Sequence, residues 1–174
     1  MKVPRIHNKR AYLLLGSNIN PDKNLRSALE LLQQTFQVNG ISKIYQSPAI
    51  LGPDSIDPQD DYLNAAVEII PEMDLYSLLE ELKNIESLLG RVRTEDKYAA
   101  RTIDIDLELI EGIAFSDDLV TIPDPELVES PHIIVPMSDI CGKIRIPETT
   151  QTIEEIKSQM DLSVVKFYSS FHDL

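Results

Sequence analysis

From Thr102 to Leu109 polar and large aliphatic residues alternate one for one, with Ile103, Ile105, Leu107 and Leu109 set against Thr102, Asp104, Asp106 and Glu108. A period of two predicts a strand with one face on a core and its acidic side chains on the other. Ala11 to Leu15 is a short apolar run closed by the turn signal Gly16-Ser17-Asn18, which predicts a buried first strand. Asn20 suits an N-cap and Pro21 a first helical position, and Leu25, Ala28, Leu29, Leu32 and Phe36 recur at helical spacing. Asn39-Gly40 predicts a break before a strand from Ile41 to Gln46. Tyr62 to Ile70 predicts a further strand, ended by Pro71. Asp74 then caps a second helix with Leu75, Leu78, Leu79, Leu82, Ile85 and Leu89 on its apolar face and Gly90 as its stop.

The order strand, helix, strand, strand, helix, strand is that of the ferredoxin-like split motif. The expected class is therefore α+β: an antiparallel β-α-β-β-α-β sheet with helices on one face, followed by a C-terminal extension. In that extension Ile144 to Ile146 reads as a short strand, Thr152 with Glu155 as the capping box of a third helix, and Val164 to Tyr168 as a strand closing the sheet. Residues 1–10, with Lys2, Arg5, Lys9 and Arg10, read as a basic N-terminal tail, and residues 11–174 as a single domain. Two long connections, 47–61 and 91–100, have the length of loops that carry a function.

Composition narrows the field. With 43% hydrophobic and 26% charged residues, the 174-residue chain has ordinary globular composition. A net charge of −13 argues against a nucleic-acid or anionic-membrane partner, while leaving room for a small anion in a local basic pocket. No apolar run is long enough for a membrane span, and Cys141 is the only cysteine, so a reducing, cytoplasmic setting is expected. Nothing in the sequence calls for an oligomer, and a monomer is expected.

The candidate chemistry lies on the alternating strand. Asp104 and Asp106 are two residues apart, about 7 Å along a strand, and can hold one or two magnesium ions. Arg91, Arg93 and Arg101 supply guanidinium groups suited to phosphate oxygens. Each feature has a plainer alternative: an alternating strand with a solvated polar face, and arginines placed after a helix end where its dipole favours cations.

Taken in order, the fragments Leu15-Gly16-Ser17-Asn18, Tyr45-Gln46-Ser47-Pro48, Asp61-Tyr62-Leu63-Asn64-Ala65-Ala66-Val67, Ile85-Glu86, Gly90-Arg91-Val92-Arg93 and Arg101-Thr102-Ile103-Asp104-Ile105-Asp106 resemble the 6-hydroxymethyl-7,8-dihydropterin pyrophosphokinase family. The resemblance implies transfer of pyrophosphate from ATP to a pterin alcohol in folate biosynthesis, with release of AMP. It implies two magnesium ions on Asp104 and Asp106, ATP as co-substrate, and Arg93 and Arg101 as catalytic groups with the two aspartates. Nucleotide contacts would come from Arg91, Arg93, Tyr98 and Arg101. The pterin pocket would be made by Ser47, Pro48, Tyr62 and Asn64, with His132 where a stacking aromatic usually stands.

The chain departs from that family after the aspartate strand. The usual Pro-His-Pro-Arg is Pro123-Asp124-Pro125-Glu126 here, a following arginine is Ser130, and Glu108 replaces an aliphatic residue. A unit charge roughly 5 Å from a phosphate oxygen is worth about 3 kcal/mol at an effective dielectric of 20, so exchanging cations for anions matters if these side chains face the nucleotide. A non-catalytic or differently specific pterin- or nucleotide-binding relative is the alternative those changes raise.

Overall fold

The computed structural model describes residues 3–52, 59–92 and 98–174. Arg93 and the middle of both long connections lie outside the described residues. The strands are β1 (Ala11–Ser17), β2 (Gln37–Ile41), β3 (Ile44–Ser47), β4 (Tyr62–Ile70), β5 (Asp104–Ile110), β6 (Phe115–Ser116), β7 (Thr121–Ile122) and β8 (Lys166–Ser169). The helices are α1 (Pro21–Thr35), α2 (Leu75–Leu88), α3 (Pro131–Cys141) and α4 (Ile153–Lys157), with a 3-10 turn at Pro125–Val128. None of the described helices is long and apolar enough to cross a membrane.

The main sheet runs β5-β1-β4-β3-β8, with β2 also on β4, and every pairing is antiparallel. The expected ferredoxin-like order is present. The central strands β1 and β4 are buried on both faces and read as continuous apolar runs, because helices cover both sides. On one face Leu13, Leu15, Val67, Ile69, Ile105 and Leu107 pack under α1 and α2. On the other, Tyr12, Leu14, Ala66 and Leu109 pack under α3 and α4. Each fully buried leucine or isoleucine contributes about 1.5–3 kcal/mol.

The helix ends follow their sequence signals in part. Asp74 caps α2 by accepting from the backbone N–H groups of Tyr76 and Ser77, and Gly90, at φ +78°, supplies the left-handed stop. Thr152 and Glu155 form the reciprocal capping box of α4. Asn20 stands before α1 but caps nothing with its side chain; it takes a left-handed backbone at φ 44°, which asparagine tolerates.

Several expectations are corrected. Asn39-Gly40 does not precede the second strand but lies inside β2, at a bulge opposite β4. The stretch from Ile41 to Gln46 is split between two strands. At the split, the Ser42 hydroxyl accepts from Ala66 N at 2.8 Å and keeps the ladder satisfied. Ile144 to Ile146 holds only a bridge from Arg145 to Thr152. Leu109 does not share a face with Ile105 and Leu107. The register slips between Tyr12 and Leu13, leaving Glu108 as an extra residue and turning Leu109 to the opposite core. Helix α3 was not expected. Ser130-Pro131 was its start signal, but the run Ile133-Ile134-Val135-Pro136-Met137 is buried almost all round and gives no helical stripe.

The basic stretch before β1 is docked. Ile6 is fully buried in the larger core, and Arg10 pairs with Glu111 through two hydrogen bonds of 2.8 and 2.6 Å. Ile6→Ala should therefore destabilise the protein by about 2–5 kcal/mol, measured by urea unfolding. A change within 0.5 kcal/mol, typical of exposed positions, would show the stretch to be loose.

Candidate active site

The polar face of β5 is set by its pairing with β1. Asp104 lies opposite Gly16 and Asp106 opposite Leu14, and Gly16 in turn lies opposite Asn64 of β4. Glycine matters at this crossing: a Cβ on Gly16 would stand 3.4 Å from Asn64 Oδ1 and 3.7 Å from the Tyr62 ring, filling the floor between them. Above that floor is a cavity of about 600 Å³. It is lined by Ser47, Pro48, Tyr62, Asn64, His132, Arg91, Tyr98, Arg101, Asp104 and Asp106, so the structure brings every described candidate residue to one place.

Within the cavity, Asn64 is buried and donates to the Ser47 hydroxyl at 2.9 Å, which orients its amide. Desolvation pushes the Tyr62 hydroxyl above its usual range, and burial lowers the His132 imidazole, favouring the neutral ring. Tyr98 lies against Gly52, where a Cβ would come 2.7 Å from its ring.

Asp104 is held by two arginines. Arg101 donates to its Oδ2, and Arg91 Nη2 stands 3.4 Å from its Oδ1. Arg91 follows the Gly90 turn and keeps two donors, Nε and Nη1, buried without an acceptor among the described residues. Unpaired buried guanidinium donors cost several kcal/mol unless something fills them, and an anion is what fits.

Arg101 is fixed by the end of β1. Asn18 Oδ1 accepts from Arg101 N at 2.7 Å, and the N–H groups of Asn18 and Ile19 both donate to Arg101 O. The Asn18 amide also donates to Gln59 and to Asp60 O, both at 3.2 Å, while Gln59 donates to Tyr98 O at 2.7 Å. Gly16-Ser17-Asn18 is thus the knot that ties both long connections to the sheet. Glu86, on a helix face by its spacing, is buried at 3% exposure and accepts from Ile105 N at 2.9 Å. No local sequence signal marks it, because the strand it anchors is distant in the chain.

Of the departures, Asp124 and Glu126 do line the cavity and Ser130 does not, sitting instead at the start of α3. Strand alternation brings Glu108 to the same wall, 1% exposed, with its Oε2 lacking any partner among the described residues. Burial, then Asp106, Asp124 and Glu126, drives the Glu108 carboxyl well above its usual range. Asp106 is pushed up to about 7, by burial first and then by Asp104 and Glu86. An all-oxygen donor set of neighbouring carboxylates short of compensating charge fits a hard divalent cation such as magnesium, which Asp104 and Asp106 could hold.

A second cavity of about 550 Å³ lies across β5, between Leu79, Leu82 and Lys83 of α2 and the β6–β7 hairpin at Leu119 and Val120. Asp106 and Asp124 line both cavities. The two spaces meet at these carboxylates.

A carboxyl shifted upward in the folded state binds its proton more tightly there than when unfolded. Stability from Asp106 is therefore full near pH 4 and is lost as pH rises toward about 7. Asp106→Asn should raise the stability of the metal-free protein at pH 8 by less than about 1 kcal/mol, since the side chain is solvent-exposed, and flatten that pH dependence, measured by urea unfolding with a chelator present. Destabilisation at pH 8 would contradict the assignment of Asp106 as an uncompensated carboxylate.

Comparison with known proteins agrees with this arrangement. Residues 12–142 match the family described as 7,8-dihydro-6-hydroxymethylpterin-pyrophosphokinase. The chain is 33% identical to a 2-amino-4-hydroxy-6-hydroxymethyldihydropteridine pyrophosphokinase from Haemophilus influenzae, over 90% of this chain and 96% of that protein. A protein of the same name from Methylorubrum extorquens is 37% identical, over 90% of this chain and 97% of its own length. A crystal structure of Plasmodium falciparum HPPK-DHPS with pterin and p-hydroxybenzoate shares the fold at a TM-score of 0.71 and 14% identity; the match covers 94% of this chain but 47% of that one. On its sequence match, this chain belongs to the 7,8-dihydro-6-hydroxymethylpterin-pyrophosphokinase family.

Proposed function

We propose that the protein transfers pyrophosphate from ATP to 6-hydroxymethyl-7,8-dihydropterin, giving AMP and the pterin diphosphate, as its relatives are named for doing in the pathway to folate. The observation that carries this reading is the convergence in one cavity of a polar ring-binding end with two carboxylates and a guanidinium whose Nε and Nη1 lack acceptors among the described residues. The pterin ring lies between Tyr62 and His132, beside Pro48, with the oriented amide of Asn64 offering donors and an acceptor to the ring edge and Ser47 holding that amide. The hydroxymethyl group then points toward Asp104 and Asp106.

The nucleotide occupies the cavity beside α2, and its phosphates cross to the pterin at Asp106 and Asp124. Arg91 and Arg101 take phosphate oxygens there, with Arg93, outside the described residues, and Tyr98 beside them. Two magnesium ions on Asp104 and Asp106 would supply charge neutralisation and lower the pKa of the attacking hydroxyl. Transfer of this kind needs alignment and charge stabilisation more than covalent chemistry, so the chain's task is to orient both substrates, exclude water and place positive charge. Asn18 contributes by holding Arg101 and both connections in register. In this reading residues 11–174 act as one domain, in a monomeric, cytoplasmic protein, in keeping with a strongly negative charge and a single cysteine.

AMP should appear when the protein is mixed with magnesium-ATP and 6-hydroxymethyl-7,8-dihydropterin. Asp104→Ala or Asp106→Ala should lower the rate at least about a hundredfold. AMP formation that survives both substitutions, or none from the folded native protein, would reject the assignment.

A further inference from the structure

We propose that Glu108 and Asp124, with Glu126 beside them, recruit one divalent cation to the nucleotide's phosphates in addition to any held by Asp104 and Asp106. This inference rests on the function proposed above, because it needs a polyphosphate in the site.

Charge balance is the first argument. Among the described residues, the larger cavity is lined by the carboxylates of Asp104, Asp106, Glu108, Asp124 and Glu126 against the guanidinium groups of Arg91 and Arg101. Both arginines lie on the Asp104 side, each in contact with that carboxylate. The opposite wall, formed by Glu108, Asp124 and Glu126, is anionic. A polyphosphate passing between the two cavities must run along this wall, because Asp106 and Asp124 line both spaces. Anion against anion in a partly desolvated site is strongly unfavourable unless a cation lies between them.

Glu108 supplies an independent indication of a ligand. Its side chain is 1% exposed and lines the cavity, yet Oε2 has no partner among the described residues. A buried carboxylate oxygen left unsatisfied is costly, and strand alternation sets Glu108 on the face of β5 that carries Asp104 and Asp106. Asp124 has capacity to spare: Oδ1 accepts from Glu126 N at 2.8 Å, which fixes the carboxylate at the start of the 3-10 turn and leaves Oδ2 for an ion.

Among the described residues no three metal-type side chains stand close enough to chelate an ion by themselves. Magnesium at phosphate sites does not require such a cage, since it takes one or two carboxylates and completes its shell with phosphate oxygens and water. The ion therefore enters with the nucleotide and is absent from the free protein's demands. An anionic wall that would oppose ATP alone becomes a selector for its more fully metallated form.

The test counts ions. Manganese uptake is followed by electron paramagnetic resonance in the presence of α,β-methylene-ATP, for the native protein and for the Glu108→Gln, Asp124→Asn double variant. The native complex should bind one more ion than the variant, and at high manganese the variant should bind the analogue about tenfold more weakly. Equal ion counts, or tighter analogue binding by the variant, would show the wall to be merely repulsive and overturn the inference while leaving the pyrophosphokinase reading intact. Failure of the native protein to bind the analogue at any manganese concentration would remove both. If the double variant does not fold, Asp124→Asn alone carries the test, since asparagine can still accept from Glu126 N.

Discussion

Burying carboxylates on the face of an apolar sheet is the constraint around which this molecule is arranged. Asp104 is compensated by Arg91 and Arg101, and each arginine is placed by something that looks unrelated to chemistry. Arg91 is delivered by the left-handed glycine that stops α2, and Arg101 by the hydrogen bonds of Asn18 at the end of β1. Asp106 receives less compensation, and the neighbouring carboxylates of Asp104 and Glu86 raise its proton affinity, as expected of an acid short of a cation. The stability lost there is the cost of a site ready for a hard ion.

The strand carrying those carboxylates also separates the two cavities. Its apolar side lies under α2, its polar side faces Tyr62, Asn64 and His132, and Asp106 with Asp124 stands where the spaces join. A reaction between two bound molecules needs such a junction, because approach of the reacting groups supplies much of the rate. Gly16 keeps the floor between Asn64 and Tyr62 open, where a Cβ would stand 3.4 Å from Asn64 Oδ1.

The acidic residues at 108, 124 and 126 give one wall of the cavity its charge. Asp124 and Glu126 face the cavity through a capped 3-10 turn, and Glu108 faces it from the alternating strand β5, so the three converge from two separate segments. Ser130 does not join them, because it begins α3. The electrostatic character of the wall thus comes from a turn docked on a strand, with Asp124 N donating to Glu108 O at 2.8 Å.

Much of the fold was legible in local patterns. The period-two strand at β5, the continuous apolar β1, the capped and glycine-stopped α2 and the capping box of α4 are statements about neighbours in sequence, and neighbours suffice to set them. Asp104, Asp106 and the arginines were legible as candidate chemistry beside a plainer structural alternative, whereas Ser47, Pro48, Tyr62, Asn64, Tyr98 and His132 were marked only by the family resemblance. Four features depended on partners far along the chain. The bulge that turns Leu109 to the opposite core arises only from register with β1, and Glu86 accepts from the backbone of Ile105, far along the chain. The knot at Asn18 joins residues 18, 59 and 101, and α3 hides its helical period because the sheet buries it nearly all round. Sequence determined which elements form and which groups can react; only the tertiary structure decided which of those groups share a cavity, because a side chain's facing is set by strand register, and register belongs to the pair.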